Sequence, residues 1–136
     1  MILDQVVSVC ARRHVGVWEV AAPFICRYIS SRQYVVIVPD NDVSLFKEKS
    51  PGLYAVVGES DYVDASISAL LRSRLHNAGE YGWYLQQLIK FSALARLERG
   101  QVALIWDADT VPLRRLNFFQ DGQLLFYSGQ ESHDPY

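Results

Sequence analysis

The stretch Tyr34-Val35-Val36-Ile37-Val38-Pro39-Asp40-Asn41-Asp42 decides the reading of the whole chain. A nearly continuous apolar, β-branched run is a strand, and the acidic turn behind Pro39 is a stop followed by a helix cap. Similar units stand on both sides. Upstream, Val6 to Cys10 is a short β-branched run that ends at the polar patch Arg12, Arg13 and His14. Val17 to Ile29 then has an apolar helical face, with Pro23 blurring its boundaries. Downstream, Val43 to Lys49 is a short helix closed by Pro51-Gly52, and Tyr54 to Val57 is a third strand closed by Gly58-Glu59-Ser60-Asp61. Asp64 caps a further helix on which Ile67, Leu70, Leu71 and Leu75 share one face, ended by Asn77 and Gly79. Gly82 to Leu97 is the longest helical pattern. Val102 to Trp106 is a fourth strand and Gln123 to Tyr127 a fifth.

Short apolar strands that alternate with helices predict an α/β fold, a mainly parallel sheet with helices on both faces, Rossmann-like in outline. Such sheets bind ligands beyond the carboxyl ends of their strands. Chemistry is therefore expected at Arg12 to His14, Asp40 to Asp42, Glu59 to Asp61 and Asp107 to Asp109. The 136 residues fit one domain, 1–136, with no internal boundary, repeat or low-complexity segment. Half of them are hydrophobic and 21% are charged, an ordinary globular composition. A net charge of −2 gives no electrostatic reason to expect nucleic acid as the partner. Cys10 and Cys26 have neither a disulfide framework nor metal-ligand spacing, and are expected to be free thiols. No run approaches the roughly 18 apolar residues of a membrane span. The N-terminus lacks a basic region and carries Asp4, so no signal peptide is read and a cytoplasmic location is expected.

Two features carry chemistry. The first is Trp106-Asp107-Ala108-Asp109-Thr110, where an apolar strand delivers two carboxylates one residue apart to its carboxyl end. In extended backbone, residues i and i+2 point the same way, so Asp107 and Asp109 converge and repel unless a cation lies between them. Hard ions such as Mg²⁺ or Mn²⁺ suit such an all-oxygen site and bridge carboxylates to a diphosphate. The alternative is a pair of turn and cap aspartates, with Pro112 closing the turn. The second feature is Gly82-Trp83-Tyr84-Leu85-Gln86-Gln87-Leu88-Ile89-Lys90. This helix reads as apolar almost all round and therefore largely buried. Trp83, Gln86, Gln87 and Lys90 form one polar-tipped stripe at spacings of three, four and seven. Buried amides and an ammonium need partners, which a phosphate, a sugar hydroxyl or the neighbouring aspartates supply. The alternative is a solvated face with Lys90 snorkelling to water.

The helix Gly82 to Lys90, paired with the strand Ala103-Leu104-Ile105-Trp106-Asp107-Ala108-Asp109-Thr110-Val111-Pro112-Leu113-Arg114, resembles a bacterial group of glycosyltransferase-like proteins with the GT-A fold. There a Gly-Trp-Tyr-x-Gln-Gln-x-x-Lys helix precedes a strand ending in Asp-x-Asp-Thr. Glu131-Ser132-His133-Asp134-Pro135-Tyr136 is similar to a later His-x-Pro-Tyr element of that group, and His133 stands there as a candidate base or ligand. The resemblance implies a nucleotide-sugar donor site in which a divalent ion, Mn²⁺ or Mg²⁺, neutralises charge on the leaving nucleoside diphosphate. Carried over, Asp109 is the direct metal ligand, and Asp107 contacts the ribose or the ion through water. Gln86, Gln87, Lys90 and Trp83 face the donor. Arg12, with His14, lies near base or phosphates by analogy with the first strand. The acceptor is undefined, a cell-surface polysaccharide precursor being one such class, and the catalytic residues are unassigned. GT-A enzymes of this kind run further than Tyr136. The resemblance therefore implies an incomplete, donor-binding portion that exposes apolar surface and self-associates or takes a partner chain.

Two other readings compete. A haloacid-dehalogenase-type phosphatase also ends a strand in Asp-x-Asp, with Asp107 as nucleophile and Asp109 as acid/base. That motif belongs near the start of a chain with a lysine downstream, whereas 27 residues follow Asp109 and none is lysine. An EF-hand loop from Asp107 fails because Pro112 replaces the required Gly and Phe118 the bidentate Glu. The other competitor is a non-catalytic remnant that binds nucleotide or a partner protein. Metal dependence of nucleotide binding separates it from an enzyme-like site.

Overall fold

The structure is a computed structural model that describes residues 1–127. The strands β1 (Leu3–Val9), β2 (Ser31–Val38), β3 (Tyr54–Gly58) and β4 (Ala103–Ile105) form a parallel sheet in the order β3-β2-β1-β4. In the register, Val6 lies between Tyr34 and Leu104, and Tyr34 lies beside Tyr54. The expected α/β architecture with a helix-flanked parallel sheet is what the chain forms.

The strands read as continuous apolar runs because both faces are covered. On one face, Val6, Val36 and Val38 pack under Trp18, Ala21, Ala22 and Ile25 of α1 (Val15–Tyr28) and Phe46 of α2 (Val43–Lys49). On the other face, Val7, Val9, Val35 and Ile37 meet Leu85, Ile89 and Ala93 of the long helix α4 (Ala78–Ala95). Successive residues thus enter opposite cores, as the period of two requires. Each fully buried Val or Ile contributes roughly 1.5–3 kcal/mol. Pro23 does not break α1. It sits on the exposed side, where the carbonyl left without a donor meets water.

Several expectations are corrected. α3 (Ala65–Arg74) does not bury the face read from its spacing: Ile67 and Leu70 are exposed, and Leu71 alone of these reaches the second core. α4 begins at Ala78 rather than Gly82. Asn77 starts it by accepting a bond from the Gly79 N–H at 2.8 Å. Nor is α4 buried all round, because Tyr84, Leu88 and Phe91 are exposed. The fifth strand is not part of the main sheet. It is the second arm of a small antiparallel hairpin, β5 (Phe119–Gln120) and β6 (Gln123–Leu124). Asp121 and Gly122 turn that hairpin with φ of 50° and 81°, the paired positive values of a type I′ turn.

The chain steps from β1 outward through β2 to β3, then returns through α3 and α4 to lay β4 on the opposite side of β1. The sheet therefore has its topological switch between β1 and β4, and the loops leaving those two strands diverge. Beyond β4, Leu3, Val102, Leu104, Trp106, Leu116 and Phe118 join the hairpin residues around an apolar groove of about 640 Å³. Among the described residues, no helix is long and apolar enough to cross a membrane.

Candidate functional site

β1 runs into Cys10 and Ala11, then into a single tight helical turn, Arg12–His14, ahead of α1. β4 runs into Trp106 and a turn closed by the Thr110 N–H on the Asp107 carbonyl at 3.1 Å. Three bonds fix this second loop. The Trp106 N–H donates to Val7 O at 2.9 Å, the buried Ser8 hydroxyl donates to Trp106 O at 2.7 Å, and the Trp106 indole donates to Thr110 O at 2.8 Å. A serine inside a β-branched strand is the sequence signal for that tether. A lone hydroxyl in an apolar run has no pattern of its own, so the sequence alone does not reveal the tether.

Between the two loops opens a polar crevice of about 320 Å³. Its far wall is α4, which turns Trp83, Gln86, Gln87 and Lys90 toward the strand ends while Leu85 and Ile89 sink into the core. Asp107 and Asp109 face the same crevice. They get there by another geometry than the one expected: the backbone at Ala108 and Asp109 is a turn, not extended strand, with Ala108 buried between the carboxylates. The Lys90 ammonium lies 3.0 Å from Asp107 Oδ1, with the lysine side chain 19% exposed and the carboxylate 66%. The polar stripe of α4 is thus gathered with the aspartates in one cleft.

Arg12 is corrected. Its guanidinium goes to the buried Asp42 at 2.6 Å, across the ends of β1 and β2, and it does not line the crevice. Asp42 accordingly receives Arg12 and makes no side-chain bond to the start of α2. His14 does line the crevice, and Arg13 stands there in place of Arg12, with Arg13 Nε donating to His14 Nε2 at 2.9 Å. Cys10 also lines it. Burial, and then the charge of Asp109, push its thiol up to about 12. Burial pushes Cys26 up to about 11. Both are free thiols that stay protonated near neutral pH.

A second polar cluster lies at the ends of β2 and β3. Asp40 Oδ1 accepts from the Ser60 N–H at 3.2 Å and the Ser60 hydroxyl at 2.8 Å. Burial, with Asp40 and Asp42 nearby, raises Glu59 above the usual carboxylate range, while Arg72 opposes the rise. Arg72 rests 4.5 Å from the Tyr81 ring centroid.

Among the described residues, no group of three or more His, Cys, Asp or Glu side chains can hold a metal. Asp107 and Asp109 offer two hard oxygen donors, and Asp107 already attracts a cation in Lys90. That donor set fits an ion such as Mg²⁺ or Mn²⁺ that takes its remaining ligands from a bound phosphate and water. The expected element around Glu131, His133 and Asp134 lies outside the described residues. No curated protein matches the chain. Residues 19–134, which include both strand-end loops of β2 and β4 and all of α4, match a family of unknown function, DUF6492, and the chain belongs to that family.

Proposed function

We propose that this chain is the donor-binding part of a metal-dependent glycosyltransferase that takes its sugar from a nucleoside-diphosphate sugar. The observation that carries the reading is the company kept at the switch point: two carboxylates, an ammonium and two amides around one crevice of about 320 Å³. A nucleoside-diphosphate sugar asks for each of these. Its diphosphate needs positive charge, its hydroxyls need two-way hydrogen bonders, and its rings stack on an exposed aromatic face.

In this reading Asp109 is the direct ligand of Mn²⁺ or Mg²⁺, and Asp107 touches the ribose or the ion through water. When bound, the ion supplies Lewis-acid stabilisation of the charge on the departing nucleoside diphosphate. Lys90 pairs with a phosphate oxygen. Gln86 and Gln87 orient the sugar through their amides. Trp83, half exposed at the rim, offers a stacking face. Arg13, together with His14, takes the phosphate-side role first expected of Arg12 and His14. The sugar acceptor belongs to the same proposal.

Calorimetric titration with UDP and GDP, with and without Mn²⁺, tests it. Binding of one nucleotide is expected to require Mn²⁺. Asp109→Ala is expected to weaken it by at least the roughly tenfold that losing a metal site's outer partner costs. Binding of either nucleotide that is indifferent to Mn²⁺ and to Asp109 refutes the proposal.

A further inference from the structure

We infer that Lys90 is a built-in counterion that holds the place of the divalent cation, so that cation and nucleoside diphosphate enter this cleft cooperatively. The inference rests on reading the crevice as a metal and diphosphate site. It goes beyond that reading in naming what controls occupancy.

The groups that face the crevice are Asp107 and Asp109 from the β4 loop, Arg13 and His14 from the β1 loop, and Lys90 from α4. Among the described residues Lys90 alone is drawn onto a carboxylate there, at 3.0 Å. Its side chain is 19% exposed, so most of the stem is covered. The covered stem narrows where the ammonium can go when Asp107 is taken from it. A divalent cation held by Asp109 that also draws on Asp107 through water competes with the ammonium for that carboxylate and meets like charge beside it, which is unfavourable. A diphosphate that enters alone gains Lys90 and meets two carboxylates. When both enter, Asp109 and, through water, Asp107 would hold the cation, while the phosphate oxygens would take the ammonium from Asp107. Each ligand thereby removes the other's penalty, and the coupling is reciprocal.

The experiment measures Mn²⁺ binding, from the resonance signal of the free ion, with and without UDP in wild type, Lys90→Gln and Lys90→Arg. In wild type, UDP is expected to tighten Mn²⁺ binding at least about fivefold. Lys90→Gln is expected to bind Mn²⁺ alone about two- to fivefold more tightly, the range of a partly exposed ion pair, and to lose most of the gain from UDP. Lys90→Arg keeps the charge and retains the coupling. Unchanged Mn²⁺ affinity in Lys90→Gln, with wild-type Mn²⁺–UDP binding intact, overturns the counterion role and spares the site. No Mn²⁺–UDP binding by wild type overturns both.

Wild-type protein supplies an independent reading that no unfolded variant can blur. The chain has three lysines, Lys47, Lys49 and Lys90. After ¹³C-methylation, the Lys90 signal is expected to shift when Mg²⁺ and UDP are added together, while Lys47 and Lys49 on α2 stay in place. A stationary Lys90 signal contradicts the inference.

Discussion

Arg12 and Arg13 are adjacent in sequence and serve different sites. The tight turn after β1 sends Arg12 across to Asp42 and leaves Arg13 beside His14 in the crevice. Sequence places both in one basic patch, and the choice between them is made by a rotation that one helical turn imposes. The same scale explains Gly58. A β-carbon there would collide with the Asp40 carboxylate, which approaches closely to take two bonds from Ser60. Beside it, burial and then the charges of Asp40 and Asp42 hold Glu59 above its ordinary value of 4.5. The native state therefore keeps a proton that the unfolded chain gives up. Its contribution to stability is full below pH 4.5 and is lost as pH rises through the native value. Glu59→Gln is accordingly expected to raise the melting temperature near neutral pH, by the equivalent of about 1 kcal/mol or less, and to change little at pH 4. Thermal melts at the two pH values check it. An equal effect at both would place the cause in packing instead of charge.

At the scale of elements, β1, β2 and β3 were legible through their apolar, largely covered stretches from Val6, Tyr34 and Tyr54 onward. The polar starts Asp4-Gln5 of β1 and Ser31-Arg32-Gln33 of β2 hid where the first two begin. α4 was half legible. Its polar stripe reads correctly from spacing, but Tyr84, Leu88 and Phe91 look like core and lie outside, since hydrophobicity alone does not say which face has a neighbour. The hairpin of β5 and β6 had a local signal in Asp121-Gly122, overshadowed by the apolar run that follows it. The start of α4 was missed because Asn77 and Gly79 serve as well to end a helix as to begin one. The corrected faces of α4 give a direct test. Ile89→Ala removes a fully buried side chain and is expected to cost about 2–5 kcal/mol. Leu88→Ala, one residue away and exposed, is expected to cost much less. Denaturant titration of the two variants checks this, and equal losses would contradict the placement of α4.

At the scale of the molecule, the carboxyl edge of the sheet divides into two polar regions. The switch between β1 and β4 holds the crevice with Lys90, Asp107 and Asp109, and the ends of β2 and β3 hold Asp40, Glu59 and Arg72. The apolar groove beyond β4 is a third surface, rimmed by the exposed Phe126 and Tyr127. The order of strands makes the crevice, and the strand-end motif places two carboxylates in it beside Arg13 and Lys90. The central claim is that cation and nucleoside diphosphate meet there. The three tryptophans report on it from different places: Trp83 stands on the crevice rim, Trp106 is in the β4 loop, and Trp18 is buried against the opposite face of the sheet. The most direct measurement is the paramagnetic broadening of their indole N–H signals by substoichiometric Mn²⁺ in the presence of UDP. The account predicts that Trp83 broadens while Trp18 stays sharp, and that Asp109→Ala abolishes the difference. A sharp Trp83 signal, or equal broadening of Trp83 and Trp18, would contradict it.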